Sequence, residues 1–243
     1  MHLVSLLCYN QPHMRASFLL LIYTLIVILV GPVLLVCWVL GVRQPLMAIG
    51  RWAMRVSRAV VGIKVDVSGL ERFDHKASYV FMPNHESFLD GPVMVMVIPQ
   101  SVRVIVKKSV FATPVLGWAM LHVGCVPVDR RAAGGGIKSI EKAARSIREK
   151  GYSFLIFPEG TRSLDGKLQR LRRGGFFLAI AGGAPIVPVT IRGAFELMPK
   201  GRFGAKRGTV SVEFHPPVPV DGYSEGNVAE LVEKVREAIR SGL

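Results

Sequence analysis

A chain of 243 residues, half of them hydrophobic, has material for one good-sized α/β domain plus a short appendage, which excludes a disordered chain. Its three cysteines, Cys8, Cys37 and Cys125, show no C-x-x-C spacing, and two lie in or near an apolar segment, so neither a disulfide framework nor a zinc site is expected and a reducing, cytosol-facing domain fits best. The formal net charge of +14 is unevenly spread: residues 1–65 hold Arg15, Arg43, Arg51, Arg55, Arg58 and Lys64 but no Asp or Glu, a balance that points to anionic lipid headgroups before nucleic acid.

The first element in chain order is the uncharged run "ASFLLLIYTLIVILVGPVLLVCWVLGV", residues 16–42. As a straight helix it would extend about 40 Å, more than a hydrocarbon core of about 30 Å requires. Gly31-Pro32 interrupts it, because proline removes an internal hydrogen bond. Two readings stay open: a kinked single span, or a helical hairpin entering one leaflet. The run is too long for a signal-peptide core and no A-x-A site follows. If it spans, the arginines after it belong on the cytoplasmic side. Residues 43–62, "RQPLMAIGRWAMRVSRAVVG", repeat Leu46, Ile49, Trp52-Ala53, Val56 and Val60 at helical spacing, the profile of an interfacial helix or of a helix packed on its own domain.

From Lys64 the pattern changes to short apolar runs punctuated by Gly and Pro. Strands are predicted at 63–68, 78–82, 102–106, 122–128, 153–157, 185–191 and 208–214, and helices at 90–97, 114–121, 136–150, 174–182 and 227–240. Their alternation predicts an α/β fold: a mixed, mainly parallel sheet flanked by helices, preceded by an N-terminal membrane-associated helical segment. The organisation follows as a membrane anchor and basic helix over 1–62 and an α/β domain over 63–243.

Open α/β sheets present ligands at the carboxyl ends of their strands, so the polar residues there carry the functional argument. After 78–82 comes Asn84-His85-Glu86-Ser87-Phe88-Leu89-Asp90. A short loop leading into a helix near Ser87 folds the Asp90 carboxylate towards the His85 imidazole, where it fixes the tautomer and leaves the other nitrogen free to take a proton from an alcohol. The spacing is equally compatible with an Asn-capped turn and a solvated histidine. The runs ending in Lys107-Lys108 and in Asp129-Arg130-Arg131 bring cations to the same sheet edge, a cluster suited to phosphate. The run 154–157 leads into Pro158-Glu159-Gly160-Thr161-Arg162-Ser163, where Glu159 either orders the turn or binds a substrate hydroxyl and Arg162 meets a phosphate. Pro188 inside Ile186–Ile191 predicts an edge or bulged strand.

The stretch "GGGIKS", 134–139, follows a strand and opens a helix, but Ile137 stands where a P-loop needs glycine, so a flexible turn is the better account. There is no G-x-S-x-G elbow and no H-E-x-x-H pair, so covalent serine chemistry and a metal site both lose support.

Together NHESFLD (84–90), VKK…VPVDR (106–130), FPEGTRS (157–163) and IVPVT (186–190), in this order after an apolar segment, resemble the glycerolipid acyltransferases, in particular the bacterial 1-acylglycerol-3-phosphate type. Ser109, where the family often has Glu, and the additional Arg131 depart from its pattern. The resemblance implies transfer of an acyl group from acyl-CoA or acyl-carrier protein, as co-substrate and with no further cofactor or metal, to the sn-2 hydroxyl of a lysophospholipid. It implies His85 as general base and Asp90 as its partner. Lys107, Arg130 and Arg162 become phosphate ligands, with Glu159, Gly160 and Thr161 shaping the acceptor site. Other acceptors (glycerol-3-phosphate, another lysophospholipid, an aminolipid) keep the same chemistry, while a non-enzymatic, basic membrane-binding protein would leave His85 and Asp90 without a purpose. The expected partners are the lipid and thioester substrates, membrane lipid and acyl carrier protein, with no nucleic acid. The expected location is a bacterial-type inner membrane with the domain facing the cytoplasm.

Overall fold

A computed structural model describes residues 24–243 apart from 26–27, 29–30, 34, 114, 129–134 and 203. The strands are β1 (Ile63–Ser68), β2 (Val80–Pro83), β3 (Val102–Lys107), β4 (Val126–Val128), β5 (Ser153–Leu155), β6 (Ile186–Arg192) and β7 (Gly208–Phe214). The helices of the domain are α1 (Gln44–Val61), α2 (Asp90–Val97), α3 (Leu116–His122), α4 (Gly135–Lys150), α5 (Gly174–Gly182), the short α6 (Ala194–Leu197) and α7 (Val228–Ser241).

The strands form one sheet in the order β1-β7-β6-β2-β5-β3-β4. All pairs are parallel except β6 with β7, so β1 and β7 run against the other five. The central strands read as unbroken apolar runs because both sheet faces are covered. Period-2 alternation sorts their side chains into two layers. Val80, Met82, Phe154 and Ile186 face one core with Phe176, Leu178 of α5 and Leu231, Val235 of α7. Phe81, Leu155, Val187 and Val189 face the other with Met94 of α2 and an aromatic group of Phe73, Tyr79 and Phe214.

Three expectations need correction. The strand predicted at 122–128 shrinks to β4, because α3 continues to His122. The strand predicted at 153–157 stops at Leu155, where the chain leaves the sheet for the 157–163 turn. Pro188 lies in the sheet interior, not at an edge: β6 sits between β7 and β2, and Pro188 pairs with Met82. The missing donor is tolerated because the antiparallel ladder begins one residue later, at Val189 opposite Phe214, while the Pro188 carbonyl still accepts from the His215 amide at 3.0 Å.

Among the described residues no helix is long and apolar enough to cross a membrane. Residues 16–23 of the apolar run lie outside the described residues. Residues 31–33 and 35–39 are helical, and a turn at Leu40-Gly41 leads into α1. Helix α1 begins with proline in its first turn and ends on Gly62 in the left-handed region (φ 79°), whose amide caps Arg58 and Ala59 carbonyls. It packs on α2 and β1, and Arg51 donates to the Gln100 carbonyl. Arg43, just before it, donates to the Tyr152 hydroxyl at 2.8 Å. Helix α1 is thus docked on the domain along one side, while Trp52, Val56 and Val60 are exposed on it.

Phe81 is fully buried and meets Phe73, Tyr79 and Phe214 edge-on at the start of the strand that leads to His85. Phe81→Ala is expected to lower the unfolding free energy by about 3–5 kcal/mol, read by urea denaturation of the purified protein.

Candidate active site

The residues 84–90 follow β2 directly, and 156–163 follow β5, its hydrogen-bonded neighbour. Parallel pairing brings both turns out at the same sheet edge. Asn84 extends the ladder with its side chain: Nδ2 donates to the Ile191 carbonyl at 2.9 Å and Oδ1 accepts from the Ile191 amide at 2.7 Å. This locks the end of β2 to β6 after the backbone pairing has stopped.

His85 is then held by its own peptide groups. Its amide donates to Glu159 Oε1 at 2.6 Å, and its carbonyl accepts from the Ser163 amide at 2.8 Å. The imidazole stacks on Phe157, with centroids 4.0 Å apart and 24° between planes. Helix α2 starts at Asp90, as the helix predicted at 90–97 does, and residues 86–87 wrap around the Asp90 carboxylate. Asp90 Oδ2 accepts from His85 Nδ1 at 2.8 Å and from the amides of Glu86 and Ser87, each at 2.8 Å. The Asp90 side chain is fully buried, and that of His85 is 20% exposed.

An ionised carboxylate accepts only, so Nδ1 carries the proton and Nε2 presents its lone pair. Among the described residues Nε2 has no protein partner. Of the two readings the spacing allowed, the Asn-capped turn with a solvated histidine does not describe this geometry. The arrangement can take a proton from an incoming hydroxyl and steady the imidazolium that results.

Glu159 is buried, with Oε2 accepting from the Gln169 amide at 2.9 Å as well as Oε1 from His85. Of its two expected roles, this geometry favours ordering the turn over binding a substrate hydroxyl. Burial pushes its carboxyl above the usual range, partly offset by the amides of Gln169 and His85. Gly160 makes the turn possible at φ 75°, its amide donating to the Phe157 carbonyl at 3.0 Å. Thr161 is exposed, and Arg162 is half-buried with its guanidinium 5.9 Å over the Phe88 ring. Lys107 is exposed at the end of β3, separated from β2 by β5. Arg130 lies outside the described residues.

Glu86 had no role in the sequence reading. It is buried, its carboxyl meeting the Asn84 amide at 3.2 Å, and is pushed up to about 8, chiefly by burial and then by Asp90, Glu196 and Glu159. Phe157 and Ser163 gained their roles only through packing, although both stand in the quoted FPEGTRS block. Beside the site, Met54, Val61, Phe88, Leu89, Val93 and Met96 line an apolar groove of about 290 Å³ between α1 and α2. Among the described residues no group of His, Cys, Asp and Glu is arranged to hold a metal ion.

The family model described as Acyltransferase matches residues 64–192. A chloroplast 1-acyl-sn-glycerol-3-phosphate acyltransferase of Brassica napus is 37% identical over 157 residues, 64% of this chain and 45% of that protein. The human 1-acyl-sn-glycerol-3-phosphate acyltransferase alpha is 30% identical over 204 residues, 84% of this chain and 72% of that protein. The crystal structure of the 1-acyl-sn-glycerophosphate acyltransferase PlsC from Thermotoga maritima matches with a TM-score of 0.78 and 25% identity, covering 96% of each chain. The chain spans less than half the length of the chloroplast relatives it matches.

A carboxyl whose folded value rises from 4.5 to about 8 keeps its proton in the folded state while the unfolded chain loses it. Stability from this group is therefore full below pH about 4.5 and falls as pH rises to about 8. Glu86→Gln, neutral throughout, is expected to gain stability relative to the parent progressively across that window. Thermal melts of both proteins from pH 5 to 8.5 read it, and parallel curves would refute it.

Proposed function

The chain belongs to the acyltransferase family, and on that premise we propose that it transfers a fatty acyl group from an acyl thioester to the sn-2 hydroxyl of 1-acyl-sn-glycerol-3-phosphate, giving phosphatidic acid. The observation that carries the reading is the His85 Nδ1–Asp90 Oδ2 contact of 2.8 Å, with Phe88 and Leu89, between the two in sequence, lining an apolar groove. His85 takes the hydroxyl proton as the alkoxide oxygen attacks the thioester carbonyl. The tetrahedral intermediate expels the thiolate, which receives the proton from the imidazolium. Asp90 holds the tautomer and offsets the imidazolium charge. No acyl-enzyme forms.

The substrate's own layout supports this acceptor. An apolar chain suits the groove lined by Phe88, the hydroxyl falls to His85, and a phosphate suits Arg162, with Lys107 at the end of β3 as a further candidate and Arg130 kept as one on the sequence pattern alone. Acyl-CoA or acyl-ACP is the co-substrate in this reading, and no metal or organic cofactor takes part. Exposed Trp52, Val56 and Val60 beside the exposed Arg55 give α1 an apolar and cationic outer side suited to an anionic bilayer surface. The proposed setting is accordingly the inner face of a bacterial-type inner membrane.

His85→Ala is expected to lower kcat about 10²–10⁴-fold while leaving folding and liposome association intact. Near-parental turnover would remove the general-base mechanism. Initial rates on lysophosphatidic acid, glycerol-3-phosphate, lysophosphatidylcholine and an aminolipid, with one donor, test the acceptor; the highest kcat/KM is expected for lysophosphatidic acid. Paired assays with acyl-CoA and acyl-ACP identify the donor.

A further inference from the structure

Residues 198–200, which follow α6, cross the candidate active site and contribute to it a cation that none of the sequence motifs contains. Ser87 Oγ donates to the Met198 carbonyl at 2.7 Å, and Ser87 pairs with Pro199 in an antiparallel bridge. The next residue, Lys200, reaches the 157–163 turn, its Nζ donating to Thr161 Oγ1 at 3.3 Å. The segment therefore touches both functional turns at once, His85–Asp90 through Ser87 and Glu159–Ser163 through Thr161.

The charge at this place is uncompensated. Among the described residues neither Lys200 nor Arg162 has a carboxylate within ion-pair distance. The nearby acids Asp90 and Glu159 are turned inward and engaged by backbone amides. Lys200 and Thr161 are exposed, and Arg162 sits over Phe88, a lining residue of the apolar groove. A mobile ammonium, a planar guanidinium and a hydroxyl on adjoining positions suit a phosphate monoester, which takes charge-assisted hydrogen bonds from each.

We infer that Lys200 is a phosphate-binding residue of this enzyme, acting with Arg162 and the Thr161 hydroxyl on the phosphate of a substrate. The inference rests on the acyltransferase reading and adds to it a ligand outside the four sequence blocks. The phosphate comes either from the lysophosphatidic acid acceptor or from the coenzyme A or phosphopantetheine part of the donor, and the experiment separates the two.

Full-length parent, Lys200→Gln and Lys200→Arg are compared in detergent micelles. Calorimetric binding of lysophosphatidic acid is set against that of monoacylglycerol, and KM is measured for lysophosphatidic acid and palmitoyl-CoA. The glutamine variant is expected to weaken lysophosphatidic acid binding and raise its KM about tenfold, the scale of one charge-assisted hydrogen bond at an accessible site. Monoacylglycerol binding should not move, and arginine should restore most of the loss. A rise confined to the KM for palmitoyl-CoA supports the same role with the donor as the source of the phosphate. Parental binding and KM values in Lys200→Gln overturn the inference, as does an equal loss in both variants accompanied by a lower Tm, which marks a structural lysine. A parent that binds lysophosphatidic acid in a Lys200-dependent way without turning it over overturns the acyltransferase reading and leaves the phosphate site standing.

Discussion

The site depends on the clamp that the turn after β5 places on the backbone of His85. One peptide group of the histidine meets the Glu159 carboxylate and the next meets the Ser163 amide, so the residue is fixed before its side chain is considered. A catalytic ring has to be held to about half an ångström, and a loop between a strand and a helix does not provide that by itself. The parallel pairing of Val80 with Phe154 and Phe81 with Leu155 sets the two turns side by side. Asn84 adds a side-chain rung to β6, tying the histidine turn to the strand on the other flank of β2. The position of this candidate base is thus a property of three neighbouring strands.

The electrostatics divide along the same line. The carboxyl groups of Glu86, Asp90 and Glu159 are buried, whereas Lys200 is exposed and Arg162 half-buried. The buried acids are tolerated for different reasons. Asp90 gathers three donors on Oδ2, two of them backbone amides, while its buried Oδ1 has no hydrogen-bond partner among the described residues. Glu159 is spanned by two amides. Glu86 has only the Asn84 amide, and burial beside Asp90 keeps it protonated near neutral pH. Keeping Glu86 neutral leaves Asp90 as the charge that addresses the imidazole ring directly, which suits a base that becomes an imidazolium during turnover.

Helix α1 connects this chemistry to the outside. Its inner side forms part of the apolar groove through Met54 and Val61, and its outer side exposes Trp52, Val56 and Val60. One helix therefore faces the acyl-binding candidate and the candidate membrane surface at once. Under the proposed function, a lipid chain passing between them would cross little water.

Much of the fold was legible from hydrophobic periodicity: runs such as 63–68 and 208–214, and helices such as 90–97 and 174–182, coincide with the observed elements. The pairing of His85 with Asp90 was legible as a possibility, since a five-residue gap after a strand returns a carboxylate to the ring. Pro188 misled, because a missing donor marks an edge only where a ladder needs it, and here the ladder with β7 begins one residue later. Glu159 kept two open roles until its oxygens were seen on amides from residues 85 and 169. Lys200 carried no local signal, for it meets Thr161 across 39 positions of sequence. The sequence by itself determined most of the strands and helices and the kinds of groups at the strand ends, because hydrophobic periodicity is a local property of the chain. Only the tertiary structure decided which of those groups face substrate and which hold the base in place, because that depends on partners brought together by strand order.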